Sequence, residues 1–141
     1  MATKYVQKVI PEVSAEPYKK LKGVERKRLA LELYQKHCKG LVVRNKHVGI
    51  PIQLNNRGGK KTAYGEAVYY KKVAIISVLH ILLEHAKYNN FGNRKRNESN
   101  DIIGYYNFKA YVLIDGKKEC VRLAVRACTN GSFYYNVEVN K

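Results

Sequence analysis

Two dipeptides, Asp115-Gly116 and Asn130-Gly131, divide the last third of this chain into three runs that alternate in polarity. Asp-Gly and Asn-Gly supply the positive φ that tight hairpins require, so between alternating runs they specify a meander. The spacing predicts strands over residues 105–114, 119–128 and 132–139. In the middle run Val121, Leu123, Val125 and Ala127 alternate with Arg122, Ala124 and Arg126. In the last run Phe133, Tyr135, Val137 and Val139 alternate with Tyr134, Asn136 and Glu138. A period of two sends the first set of each run to a core and the second to the opposite face. The face away from the core is therefore expected to carry Lys109, Arg122, Arg126, Tyr134 and Asn136. These groups bind phosphate and stack on bases.

Upstream, residues 24–38 read as a helix with Leu29, Leu33 and His37 four apart, flanked by Ala30 and Tyr34, and stopped by Gly40. Residues 41–44 and 49–55 read as two short strands around a turn at 45–47. Residues 68–87 carry a wide apolar face that includes Val73, Ile76, Leu79, Leu83 and Ala86, which predicts one long buried helix. Residues 88–101 are rich in asparagine and charge and read as a loop. Residues 1–22 read as an extended basic arm, ahead of a single domain over 23–141 with its core in 40–141. The expected class is α+β: a four- to five-stranded antiparallel sheet with helices packed on one face. The other sheet face would remain open.

Charge points to the partner of that face. Against 27 lysines and arginines stand 11 acidic residues, a net charge of +16. Such self-repulsion is characteristic of proteins that meet a polyanion. No segment approaches the roughly 20 apolar residues that span a bilayer. Twelve tyrosines, with doublets at 69–70, 105–106 and 134–135, put one ring of each strand pair outside, where a ring can stack on an unpaired base. Cys38, Cys120 and Cys128 show no metal-ligand spacing. Cys120 and Cys128 lie roughly 26 Å apart on an extended strand, too far to bridge, so three reduced thiols are expected.

Three groups of residues carry candidate chemistry. Arg57-Gly58-Gly59-Lys60-Lys61-Thr62-Ala63-Tyr64-Gly65 joins glycines, whose backbone can approach an anion, to cations. It lacks the phosphate-binding-loop spacing, which excludes nucleotide hydrolysis, and reads equally as a solvated loop or an anion site. Arg122 and Arg126 point the same way, roughly 13 Å apart, and could straddle phosphates. Arg94, Lys95 and Arg96 add a basic cluster. His80 reads as a core or interface residue, His47 and His85 as more exposed, and His37 as a helix-end charge. No carboxylate pair suits a two-metal nuclease.

The run Asn45-Lys46-His47-Val48-Gly49-Ile50-Pro51-Ile52, then Gly58-Gly59-Lys60-Lys61-Thr62, resembles phage and mobile-element polyvalent-protein domains of the barnase–EndoU–colicin–RelE-like ribonuclease superfamily. Leu82-Leu83-Glu84-His85-Ala86, Tyr106-Asn107-Phe108, Gly116-Lys117 and Val121-Arg122-Leu123-Ala124-Val125 follow in the same order, so the resemblance spans residues 40–141. It implies a toxin or effector ribonuclease that needs no metal or other cofactor. A ribose 2′-OH of the RNA, with transfer RNA among the candidate substrates, would attack its phosphate to leave a 2′,3′-cyclic phosphate. Lys60 or Lys61 would move the proton or stabilise charge, and Thr62 would hold phosphate. Arg122 and Arg126 would stabilise the phosphorane, and Tyr134 would orient the base. Arg57, Lys109, Asn136, Arg94, Lys95 and Arg96 would bind the nucleic acid. Lys61 stands where such domains often carry a histidine. An acidic immunity or antitoxin protein is the implied inhibitor. The implied site of action is the cytoplasm, with delivery as the C-terminal part of a larger secreted or phage protein. Two alternatives remain: a non-catalytic nucleic-acid-binding module, and a structural or interaction protein of a mobile element.

Overall fold

A computed structural model describes residues 4–55 and 69–139. In chain order its elements are β1 (Glu12–Val13), α1 (Glu16–Lys19), α2 (Gly23–His37), β2 (Val42–Arg44), β3 (Pro51–Gln53), α3 (Tyr70–Ile76), α4 (Leu79–His85), β4 (Lys87–Asn93), β5 (Ile102–Ile114), β6 (Lys117–Cys128) and β7 (Gly131–Val139). The expected hairpins form: β5 pairs antiparallel with β6, and β6 with β7. Asp115 and Gly116 both have positive φ, 51° and 81°, as the turn between β5 and β6 requires.

The sheet is larger than the pattern suggested, and it is mixed. Its order is β1-β5-β6-β7-β3-β2, with β4 also on β5. β3 joins β7 in parallel, and β1 joins β5 in parallel. A purely antiparallel sheet of four to five strands is thus corrected to a seven-stranded mixed one. The parallel contacts arise because both short N-terminal strands reach the meander from outside, across long intervening segments. Such long-range pairing leaves no local sequence signal.

β4 replaces the first part of the expected loop over 88–101, while residues 94–101 remain turns and coil. Its residues pair with β5 from Lys87 opposite Lys109 to Asn93 opposite Gly104. Asparagines and glycine disfavour strands in isolation, but an exposed edge strand gains its stability from the neighbour it pairs with. Gly104 is required for that pairing. A Cβ there would lie 2.3 Å from the Gly92 carbonyl oxygen and 2.5 Å from the Phe91 ring. β4 and β1 occupy the same edge of β5 in succession. Between them the Gln7 side chain substitutes for a strand: its Nε2 donates to the Tyr111 carbonyl at 2.8 Å, and its Oε1 accepts the Tyr111 N–H at 2.6 Å. The segment before residue 23 is therefore attached to the sheet. Ser14 and Ala15 add hydrogen bonds to the Asp115 carboxylate.

The long helix over 68–87 is two seven-residue helices. Val78 leaves the helical region (φ −114°, ψ 8°), and its N–H bonds back to Ile75 at 2.9 Å in a tighter turn. The Ser77 hydroxyl donates to the Ala74 carbonyl, a local bond that competes with a regular helix. The break lets both halves turn apolar residues to one core. Val73, Ile75, Ile76, Leu79, Leu82 and Leu83 bury against Phe108, Val112, Val121, Leu123, Val125 and Val137. His85, expected to be more exposed than His80, is buried, at 6% exposure. Along α2 and its capping residue the buried stripe is Ala30, Tyr34 and Cys38, one residue on from Leu29, Leu33 and His37. Tyr34 leads this choice, because its hydroxyl donates to the Asn55 carbonyl at 2.7 Å and its ring stacks on Tyr134.

One bulge corrects the last strand. Ala124 pairs with Asn136 but Val125 pairs with Tyr134, so Tyr135 is the extra residue. A one-residue slip reverses every side chain beyond it. Val137 keeps its expected core position, whereas Tyr134 turns inward, at 1% exposure. Tyr134 therefore belongs to the helix-covered face, and Tyr135 takes its place on the open one. Cys38 is buried, Cys120 and Cys128 are half-buried, and all three are free thiols.

Candidate nucleic-acid interface

The open face of β4, β5, β6 and β7 holds a cleft of about 360 Å³. Cross-strand register arranges its walls in rows. Lys109 faces Arg122, which faces Glu138; Asn107 faces Ala124, which faces Asn136. Ala124, the small residue in the middle, makes the hollow. Asn89 and Asn90 close it from β4, and Tyr135 closes one end. The extra residue of the β4 bulge falls between Tyr88 and Asn90, which adds Asn89 to this rim. The cleft thus combines cations with side-chain amides, which can both donate and accept.

Arg122 and Arg126 have different surroundings. The Arg122 guanidinium is 64% exposed and meets the equally exposed Glu138 at 3.5 Å. Solvent screens such a pair, so Arg122 can exchange it for a phosphate at little cost. Arg126 is only 13% exposed and lies in a second cluster. Its Nη2 donates to Glu98 at 3.4 Å and to the Tyr105 hydroxyl at 3.3 Å. Its guanidinium stacks 4.3 Å from the Tyr135 ring centroid. The Tyr105 hydroxyl donates to Glu98, whose other oxygen accepts the Lys95 N–H. The Tyr105 bond, then the Lys95 N–H and the Arg126 charge, hold the Glu98 carboxyl below its usual range despite burial. Burial, then the bond to Glu98, push the Tyr105 hydroxyl up to about 12.

The basic turn of residues 94–96 joins this cluster. Arg94 donates to the Glu98 carbonyl at 2.8 Å, and the Lys95 ammonium lies 5.9 Å from the Tyr135 centroid. Arg96 is exposed. Beneath Arg126 a second cleft of about 320 Å³ is lined by Asn55, Asp101, Asn130 and Tyr135. Tyr135 therefore lines both clefts, on the open face where the alternating pattern had put Tyr134.

Arg57, Lys60, Lys61 and Thr62 lie outside the described residues. The chain on either side of them reaches the two clefts. Asn55 lines the second cleft with Arg126, and the Lys72 ammonium is 3.3 Å from Asn136 Oδ1 at the rim of the first. Among the sequence-predicted residues, Lys109, Arg122 and Asn136 share the first cleft. Tyr134 is buried against the helix-covered face and reaches only the second cleft, which it lines with Asn55 and Arg126. The histidines stand apart from both clefts. His47 accepts the Tyr88 N–H through Nδ1 at 2.9 Å and stacks on Tyr5 at 4.4 Å. Asn89, Asn90, Glu98 and Tyr135 were not among the residues proposed from sequence. Their positions follow from β4 and from two bulges, which no periodicity marks.

Among the described residues no group of three or more histidine, cysteine or acidic side chains could hold a metal ion. No helix among them is long and apolar enough to cross a membrane. No curated protein and no solved structure matches the chain. Residues 23–135 match the family model of large polyvalent protein-associated domain 3, and the chain belongs to that family.

Proposed function

We propose that this domain binds RNA across the open sheet face and cleaves it as a metal-independent endoribonuclease effector. The observation that carries the reading is the first cleft. It gathers Lys109, Arg122 and Asn136 from three strands on the face opposite the helices. Cations there neutralise phosphates, and the surrounding amides meet base edges. Arg122 is the phosphate ligand and the group that stabilises the phosphorane. Arg126, held by Glu98 and Tyr105, positions Tyr135 as a ring for stacking. Lys60 or Lys61 moves the proton of the attacking 2′-OH, and Thr62 holds the phosphate. This assignment is supported by the attachment of both flanks of their segment to the clefts, at Asn55 and Lys72. Lysine serves as a base near neutrality only when neighbouring cations lower its pKa, so this role requires Lys60 and Lys61 to crowd one another.

The test is incubation of the purified protein with total RNA in EDTA, with mapping of the ends. Cyclic-phosphate ends that vanish in Lys61→Ala and Arg122→Ala support the reading, and full activity in both overturns it. A second reading, a non-catalytic RNA-binding module, is favoured by the engagement of Arg126 with Glu98. It predicts salt-sensitive binding without cleavage. A toxic ribonuclease also implies a partner, an acidic inhibitor complementary to the open face.

A further inference from the structure

A third cleft, of about 490 Å³, lies between residues 5–10 and the far half of β5, and it shares Asn89 and Lys109 with the first. The two hollows therefore adjoin at Asn89 and Lys109 along the outer face of β5. Beyond Lys109 the groove is lined by Lys87, Tyr111 and Lys118, with no acidic residue. None of Lys87, Lys109 or Lys118 has an acidic partner among the described residues. Tyr111 is 44% exposed, and the Lys118 ammonium sits 4.5 Å from its ring centroid. Its backbone is fixed by Gln7, so the ring projects from a rigid base.

We infer that this groove is an extension subsite for a single RNA strand, with Tyr111 as its stacking platform. The inference rests on the proposed binding of RNA in the first cleft. The strand passes Arg122 and Lys109, continues past Lys87, and ends where Lys118 neutralises a phosphate beside the base stacked on Tyr111. Lys109 and Leu113, the strand partner of Lys118, are four residues apart, roughly 13 Å. Unpaired bases fit this arrangement for two reasons. Stacking on a side chain requires a free base face, and amides at the groove floor reach base edges only when those edges are not paired. Tyr5, Val6, Gln7 and Ile10 also wall one side.

The experiment is fluorescence anisotropy of the full chain with 2′-O-methyl oligonucleotides, which lack the attacking hydroxyl and so are not cleaved. Probes of about four and about twelve nucleotides bracket the sites of single-strand-binding folds. Arg122→Ala weakens both probes. Tyr111→Ala weakens the long probe about ten-fold and leaves the short one unchanged, whereas Tyr111→Phe binds both like the parent. A duplex of the long probe binds more weakly than the single strand and is indifferent to Tyr111. Unchanged binding of the long probe by Tyr111→Ala, or equal loss for both probes, overturns the subsite while the first cleft stands. Failure of the parent to bind either probe overturns the open-face reading and this inference with it.

Discussion

Glu98 and Arg126 meet at 3.4 Å, with Tyr105 bonded to both, beneath the ring of Tyr135. An arginine that the strand pattern assigns to a solvated face is thereby enclosed, and the turn carrying Lys95 is tied to the sheet. Glu98 is the acid that makes this possible, because an enclosed guanidinium needs a compensating charge.

The cluster predicts a pH signature. The Glu98 pKa is depressed in the folded state. Its contribution is therefore complete above the ordinary carboxylate value and drains away as pH falls through the lower folded value. Glu98→Gln should be less stable than the parent at about pH 7, and the difference should shrink toward about pH 3. Urea midpoints at the two pH values measure this; a constant difference would exclude the linkage. Tyr105 acts at the opposite end, with stability lost as pH rises from about 10 toward its folded value of about 12.

Arg122 and Arg126 should separate binding from stability. Arg122→Ala should stay within about 0.5 kcal/mol of the parent in denaturant titration, as exposed positions do. It should also lower the salt slope of RNA binding by about 0.7, the loss of one phosphate contact on a single strand. Arg126→Ala strands Glu98 in a largely enclosed site and should cost about 2 kcal/mol or more. Equal stability of the two variants would contradict the placement of Arg126.

The tyrosine doublet at 134–135 gives an internal comparison. Tyr134→Ala opens a cavity between α2 and the sheet and should destabilise by about 3–5 kcal/mol, in the range of buried aromatic truncations. Tyr135→Ala should cost far less and instead weaken RNA binding by loss of a stacking ring. The reverse order of stabilities would place the bulge elsewhere.

Gly104→Ala tests β4. The new methyl would meet the Gly92 carbonyl and the Phe91 ring, and overpacking of this kind costs about 1–3 kcal/mol. Amide exchange in residues 87–93 should accelerate more than in β6. Uniform acceleration, or none, would argue against the edge pairing.

Cys38 should be inert. Burial pushes its thiol up to about 12, and its Sγ donates to the Ile76 carbonyl at 3.2 Å. Alkylation at about pH 8 should leave it unmodified in the folded protein and modify it in denaturant, because the thiolate is the nucleophile. Rapid native labelling would show that α2 opens readily.

The meander, its Asp115-Gly116 turn and the core face of β6 were legible in the chain, because period-two alternation and Asp-Gly are local signals; the second turn falls one residue earlier than expected, at Thr129-Asn130, with Gly131 already paired to Cys128. The boundaries of α2 and the pairing of residues 42–44 with 51–53 were legible for the same reason. The polyvalent-protein family was legible in the order of short motifs, and residues 23–135 match it. Lys109, Arg122 and Asn136 follow from alternation alone, since they lie on parts of the strands that no bulge disturbs.

What the tertiary structure decided lies where one residue is added or where a segment finds a distant partner. The extra residue in β7 exchanged Tyr134 for Tyr135, and nothing in Phe133-Tyr134-Tyr135-Asn136 announces which ring turns inward. The packing of Tyr134 on Tyr34 settles it. β4 exists because β5 offers an edge, against the preference of its own asparagines. Arg126 is enclosed because a turn 28 residues earlier supplies Glu98. Local patterns set which residues face the same way. Long-range pairing set which cations were enclosed beside an acid and which, like Arg122, remained in solvent on the open face.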